Sequence, residues 1–316
     1  MAGSELKSDL WINEYITSWD IYTHGVTKIL AYRQTPYQEM YIVETGAFGK
    51  GLVLDGKWQS CTGDEFIYHE ALVHPGMIAH QNPQRVLVLG GGEGATIREI
   101  LRWKTVTKVT MIDIDGEVVT ACKEHLPEMH QNAFDDPRVE LIIADALQVL
   151  DDTNETWDVI ISDLSDPIES GPSFPLFTKE YFGKLQRVLN PGGYVMVQAG
   201  PISPPEVQDH AKLISTLKAV FNHVTSLSAP TPSYGRAWGF ALCSATAIDT
   251  QPQPEVVDQM LSEKTLGGYR FIDGITLLGI LQTPLYIRNC IAAETTVYTL
   301  NEPPKFFGTG AMNNEQ

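Results

Sequence analysis

The stretch Arg85–Leu89 runs straight into Gly90-Gly91-Gly92-Glu93-Gly94-Ala95, and a helical pattern follows from Ala95 to Trp103. A continuous apolar run reads as a strand covered on both faces, the environment of a parallel sheet. The glycines allow a tight turn and let backbone approach a ligand closely. A G-x-G-x-x-[GA] match alone also describes a turn that only packs a helix on a strand. Here the strand before and the helix after supply the context of a ligand loop. The alternation continues. Short apolar runs at Val109–Ile112, Val139–Ala144, Val159–Ile161 and Tyr194–Gln198 are separated by helical stretches, one ending near His125 and one spanning Lys179–Leu189. Asn190-Pro191-Gly192-Gly193 is a strong stop for the second helix. The expected architecture is α/β, a doubly wound and mostly parallel sheet with helices on both faces.

The texture before residue 64 is different. Val26–Tyr32, Glu39–Glu44 and Gly51–Leu54 are β-rich runs, Asp55-Gly56 is a hairpin turn, and Trp58–Cys61 completes a small antiparallel sheet. Residues 1–64 are therefore expected to form a small N-terminal β domain, and residues 65–316 the larger α/β domain. Residues 65–79 read as a helix, broken near Pro75-Gly76. The tail, 223–300, should add edge strands and a last helix or two.

Charge narrows the function. Lys and Arg total 22, Asp and Glu total 39, and the formal net charge is −17. Nucleic acid and anionic membranes demand a basic face, so both are disfavoured as partners. A cationic substrate fits, although acidity also serves solubility. Hydrophobic residues make up 43%, enough for a core. Cys61, Cys122, Cys243 and Cys290 are scattered, without CxxC spacing or a His cluster, which argues against a disulfide framework and against a bound metal. No signal-like N-terminus or membrane-length apolar run is present, so a soluble, cytoplasmic protein is expected.

In a doubly wound sheet, ligands bind at the carboxyl ends of the strands. Those ends carry Glu93, Asp113, Asp145 followed by Ala146, Asp163 with Asp166 close behind, and Gln198. Any one of these acids alone reads as a helix N-cap. Four strand ends with a carboxylate, and no Lys or Arg in the segments around Glu93 and Asp163, describe a pocket that holds cations and repels phosphate. Asp113 after the second strand can accept the two hydroxyls of a ribose. A cationic nucleoside with those needs is a sulfonium: S-adenosylmethionine or its decarboxylated form. Glu93 lies where the amino-acid end would sit. A carboxylate there repels the methionine carboxylate and pairs with a bare propylammonium. That moves the expectation from methyl transfer to aminopropyl transfer.

At this point the chain resembles the polyamine aminopropyltransferases, the spermidine synthase family. The resemblance rests on Tyr37-Gln38-Glu39, Leu52–Asp55-Gly56 with Gln59, Asp64–Glu70, GGGEGATIRE at 90–99, Ile112-Asp113-Ile114-Asp115, DLSDP at 163–167 and VQAGP at 197–201. It implies a Rossmann-like, methyltransferase-like catalytic domain, with the N-terminal part assembling homodimers or homotetramers. No cofactor would be bound permanently; decarboxylated S-adenosylmethionine would be the co-substrate and a polyamine the acceptor. The resemblance places Gln38, His69, Gly90, Glu93, Asp113, Asp145, Ala146 and Asp163 around the co-substrate. Asp163 matches the catalytic carboxylate, and Tyr68 is assigned to orient the attacking nitrogen. Gln59, Tyr68, Asp166, Gln198, Tyr234 and Trp238 would line the acceptor channel.

The segment DLSDPIESGPSFPLF is longer than its counterpart in plant and animal spermidine synthases. It is similar to that of thermospermine synthases and of bacterial enzymes acting on agmatine or triamines, and GGGEG leans the same way. Residues 163–176, with Pro167, Gly171, Pro172 and Pro175, are a candidate lid. Putrescine ranks first as acceptor on family frequency, with agmatine and spermidine as alternatives. Three other readings share parts of this pattern: a methyltransferase, a nicotinamide-dependent dehydrogenase and a non-catalytic polyamine binder. Glu93, the phosphate-hostile loop and Asp163 argue against them in turn.

Overall fold

A computed structural model describes residues 6–168 and 173–305. The first sheet is an antiparallel meander of β1 (Leu10–Tyr15), β2 (Ile21–Gln34), β3 (Glu39–Thr45), β4 (Gly49–Leu54) and β5 (Lys57–Cys61), in that spatial order. Its strongest local signal holds: Asp55 and Gly56 have φ of 48° and 73°, the paired left-handed turn that matches strand twist. Two features were not anticipated. β1 pairs along β2 from Leu10 opposite Val26 to Tyr15 opposite Ile21, and β2 runs 14 residues. β1 lacks a clean alternation because it is an edge strand with one buried residue, Glu14.

α1 (Glu65–His80) then crosses the second sheet unbroken. The expected break at Pro75-Gly76 is absent, because tertiary packing outweighs local propensity. All but a few of its residues are buried against the sheet. Gly76 lets the helix approach closely, since a Cβ there would lie 2.8 Å from Met196 Cγ.

The remaining elements are β6 (Arg85–Gly90), α2 (Ala95–Leu101), β7 (Lys108–Asp113), α3 (Gly116–His125), α4 (Pro127–His130), β8 (Val139–Ile143), α5 (Ala146–Asp152), β9 (Trp157–Asp163), α6 (Lys179–Arg187), β10 (Leu189–Pro201), α7 (Val207–Lys218), β11 (His223–Thr231), β12 (Arg236–Ser244), α8 (Pro254–Lys264), α9 (Gly274–Ile280) and α10 (Leu285–Ala293). The strand order is β11-β12-β10-β9-β6-β7-β8. β6 to β10 are mutually parallel, while β12 and β11 add an antiparallel edge. Val86 and Val88 pack on the α1 side, and Leu87 and Leu89 on the α6–α7 side. That two-sided burial is why β6 reads as a continuous apolar run. Among the described residues, no helix is long and apolar enough to cross a membrane.

Two boundaries differ from expectation. β10 starts at Leu189 and passes through the Asn-Pro-Gly-Gly stop with a register shift before Tyr194. It extends past Gln198 to Pro201 through a second irregularity against β12. The tail forms three helices rather than one or two.

Candidate active site

The chain leaves β6 and fills β7 and β8 on one side, then returns to place β9 on the other. Between β6 and β9 the loops diverge, and a crevice opens at the strands' carboxyl ends. A cavity of about 210 Å³ lies there. Its wall includes Gln38, Gln59, Tyr68, Gly90, Glu93, Asp113, Asp145, Ala146, Asp163, Asp166, Gln198, Tyr234 and Trp238. His69 is fully buried and stands behind Glu93, its Nε2 2.8 Å from Glu93 Oε1.

The glycine turn is built around Asp163. Gly91 N–H donates to the Asp163 carbonyl at 3.0 Å. Gly90 has φ +81°, and a Cβ on it would collide with that carbonyl oxygen. The side chain of Asp163 is gripped from two helices. Tyr68 Oη on α1 donates to Oδ1 at 2.8 Å, and Thr96 Oγ1 on α2 donates to Oδ2. Burial and then the Glu93 charge raise the Asp163 pKa; His69, Thr96 and Tyr68 pull against them. Burial and the Asp163 charge push the Tyr68 phenol well above its ordinary range, so it stays a donor.

The strand-end acids divide by role. Asp145 accepts from Leu147 N–H at 2.8 Å and caps α5. Asp115 caps α3 through Glu117 and Val118 N–H, and also accepts from Thr35 Oγ1 at 2.6 Å and Gln38 Nε2 at 3.0 Å. It thereby ties the first sheet to the second and fixes Gln38. Asp113 caps nothing; it accepts Asp115 N–H at 2.9 Å. Burial first, then surrounding acids, push its pKa to about 7. Glu93 caps nothing either, since the N-cap of α2 is Gly94.

The other end of the cavity is an aromatic and amide wall. Trp238 Nε1 donates to Gln198 Oε1 at 3.1 Å, and Gln198 Nε2 donates to Leu164 O at 2.8 Å and to Asp166 Oδ1 at 3.3 Å. Tyr234 packs edge-on against Trp238 with ring centroids 4.8 Å apart, and its hydroxyl donates to the Gln59 carbonyl. Asp64 fixes that turn, accepting from Ser233 N at 2.6 Å and Ser233 Oγ at 2.9 Å. The Gln59 amide donates to Lys57 O at 3.1 Å. Burial raises the Asp166 pKa, and Lys57 and Arg236 oppose the rise.

The segments around Glu93 and Asp163 contain no Lys or Arg, yet the fold brings basic groups from elsewhere to the acids. His69 touches Glu93, and Lys57 lines the cavity beside Glu14. Lys57 and Glu14 lie outside the strand-end segments, which hid them from a search confined to those ends. His69, Glu93 and Asp163 offer three ligand atoms within 4.8 Å of one another. They could hold a metal only if His69 Nε2 gave up its contact with Glu93. The candidate lid, 163–176, is described apart from residues 169–172; Gly171 and Pro172 lie outside the described residues.

Known proteins bear on this geometry. Residues 65–252 match the spermine/spermidine synthase domain, and residues 10–61 the spermidine synthase tetramerisation domain. A polyamine aminopropyltransferase of Synechococcus sp. (strain JA-2-3B'a(2-13)) is 57% identical over 96% of this chain and 99% of its own. One from Sulfurisphaera tokodaii is 39% identical over 93% and 97% respectively. A spermidine synthase solved with the transition-state analogue AdoDATO superposes with a TM-score of 0.84 at 26% identity, over 93% of this chain and 99% of that one. With the glycine turn, the strand-end acids and the sheet order all in place, the chain belongs to the spermidine synthase family, the polyamine aminopropyltransferases.

Proposed function

We propose that the protein transfers the aminopropyl group of decarboxylated S-adenosylmethionine to putrescine, giving spermidine and methylthioadenosine. The observation that carries this is the doubly held carboxylate of Asp163 at the end of β9, facing a cavity whose other polar groups are mostly acids and amides. The amine lone pair attacks the propyl carbon bonded to the sulfonium. The C–S bond breaks, its electrons pass to sulfur, and a neutral thioether leaves. The leaving group is already activated by its charge, so alignment of the two reactants and proton removal are the main tasks.

Putrescine nitrogens have pKa values near 10 and arrive protonated. Asp163 accepts the proton, and its raised pKa suits it to that role. Tyr68 orients the carboxylate and the nitrogen. Asp113 accepts the ribose hydroxyls, Gln38 borders them, and Asp145 with Ala146 meets the adenine. Gly90 leaves room for the co-substrate, and Glu93, backed by His69, receives its propylammonium. Asp166, with Gln198, Trp238, Tyr234 and Gln59, receives the far ammonium of the acceptor.

Agmatine or spermidine in the same channel is the alternative, favoured by the long segment after Asp163. Assembly through the N-terminal sheet, as dimer or tetramer, is supported by exposed Leu10 on β1, Trp19 in the connection between β1 and β2, and Ile21 at the start of β2. The test is direct. Purified protein with decarboxylated S-adenosylmethionine is offered putrescine, agmatine, spermidine and cadaverine separately, and products are identified by chromatography. Spermidine from putrescine as the fastest reaction is expected; a faster reaction with another amine reassigns the acceptor. No product with any amine defeats the reading.

A further inference from the structure

We infer that Glu65 and Arg98 are positioning residues that keep a proton on each ring nitrogen of His69, and through that ring fix Glu93 at the cavity wall. The inference rests on the reading of Glu93 as the group that receives the co-substrate's propylammonium.

The ring is flanked by acceptors on both sides. Nδ1 lies 2.7 Å from the Glu65 carbonyl oxygen and 2.9 Å from Glu65 Oε2. Nε2 lies 2.8 Å from Glu93 Oε1. A neutral imidazole has a single N–H. Either tautomer would aim a lone pair at a carboxylate oxygen, and only the cation donates in both directions. Its side chain is fully buried, so water supplies no third partner.

Arg98 makes that state durable. Its Nη1 and Nη2 donate to Glu65 Oε1 and Oε2, each at 2.9 Å, a bidentate fork that locks the carboxylate. Nη1 also donates to Met129 O at 2.6 Å, and Nε to Glu99 Oε1 at 2.8 Å. Glu65 opens α1, Arg98 lies on α2, and Glu93 lies in the turn between β6 and α2. Burial alone would raise Glu65, but His69 and Arg98 outweigh it and hold the carboxyl below its usual range. Burial likewise opposes charge on His69, yet the two carboxylates lift it well above its ordinary value. Another charged group near the ring is Asp163 at the end of β9, whose charge also favours the cation. Tyr68, on α1 itself, meets the ring edge-on at 5.1 Å and stays neutral.

The chain Arg98–Glu65–His69–Glu93 therefore carries two positive and two negative charges. Glu93 is held at one oxygen before substrate arrives, which is the preorganisation a binding carboxylate needs. A ring left with only its Nδ1 proton turns a lone pair from Nε2 towards Glu93 and no longer holds that carboxylate in place.

The experiment uses Glu65→Gln. Its amide oxygen can still accept from Nδ1–H but supplies no charge. Ring nitrogen-15 chemical shifts report protonation, and comparison with His69→Gln assigns the signal among eight histidines. In the unsubstituted protein, both His69 nitrogens should carry protons at pH 7–8, and KM for decarboxylated S-adenosylmethionine should not rise over that range. In Glu65→Gln the ring should lose a proton within the range, KM should rise about tenfold with pH, and kcat should change by less than about threefold. Arg98→Lys keeps the charge but not the fork and should fall between the two; it also serves if Glu65→Gln fails to fold. A single ring proton in the unsubstituted protein at pH 7, or unchanged ring titration and KM profile in the variant, overturns the inference. Absence of any aminopropyl product would overturn the functional reading instead, leaving the ring protonation to be judged by itself.

Discussion

Tyr68 on α1 donates its phenolic hydrogen to Asp163 Oδ1 at 2.8 Å, although 95 positions separate them in the chain. The contact binds the helix that leaves the first sheet to the strand end at the switch point of the second. Two changes dissect it. Asp163→Asn should lower kcat by roughly 10²–10⁴, the usual worth of a positioned general base, while co-substrate affinity stays near normal. Tyr68→Phe should cost less, about 10–150-fold, as expected for one hydrogen bond to a charged group. Steady-state rates and calorimetric binding separate the two effects; near-normal turnover of Asp163→Asn removes the residue from the chemistry.

Asp113 gives a pH signature. Burial places its pKa at about 7, above the unfolded value of 3.8. Between these values the folded state retains a proton that the unfolded state releases, so this group's contribution to stability falls as pH rises from about 4 to about 7. In the proposed site, the ribose hydroxyls of the co-substrate donate to the ionised form. Co-substrate affinity should therefore weaken as pH drops below about 7. Asp113→Asn should abolish that dependence and lose two charge-assisted hydrogen bonds, roughly 1.5–3 kcal/mol each. Calorimetry from pH 5.5 to 8.5 checks both; a flat affinity profile in the unsubstituted protein contradicts the assignment.

Asp166 should matter to the acceptor alone. It faces the amide of Gln198 at 3.3 Å and lies on the cavity wall. Asp166→Asn should raise KM for putrescine by about 10–100-fold through loss of a charge-assisted contact, with co-substrate affinity unchanged. Equal weakening of both ligands would place it elsewhere in the mechanism.

Gly90→Ala tests the turn. With φ at +81°, an added Cβ is strained and meets the Asp163 carbonyl. The backbone cost alone is about 1–2 kcal/mol. A lower melting temperature is expected, with kcat reduced because Asp163 shifts. An enzyme of normal stability and rate would mean that the turn tolerates a side chain.

Much of the fold is written in local pattern. The central parallel strands announce themselves because strands buried on both faces must be largely apolar, as Val86–Leu89 is, whereas β8 at the sheet edge has no buried residue. The Asp55-Gly56 hairpin is legible because both residues must adopt positive φ. The strand-end acids are legible because a parallel sheet delivers them to one edge whatever else the chain does. Those features place Glu93, Asp113 and Asp163 in one crevice before any coordinate is known.

Other properties depend on partners far away in the chain. α1 survives Pro75 because the sheet beneath it supplies burial that local propensity does not register. β1 exists because β2 accepts it as an edge. Gln38 is fixed by Asp115, and the turn that carries Tyr234 is fixed by Asp64 through Ser233, each through hydrogen bonds that cross between distant segments. The charge state of the pocket is the sharpest case. From sequence, Glu93 is an acid without a basic neighbour. In the fold, His69 lies against it, held in turn by Glu65 and Arg98. The sequence alone determines which ionisable groups meet at the sheet's edge, because strand periodicity sets that. Tertiary structure decides which of them are paired, since electrostatic energy depends on separation in space and on burial, and neither follows from position along the chain.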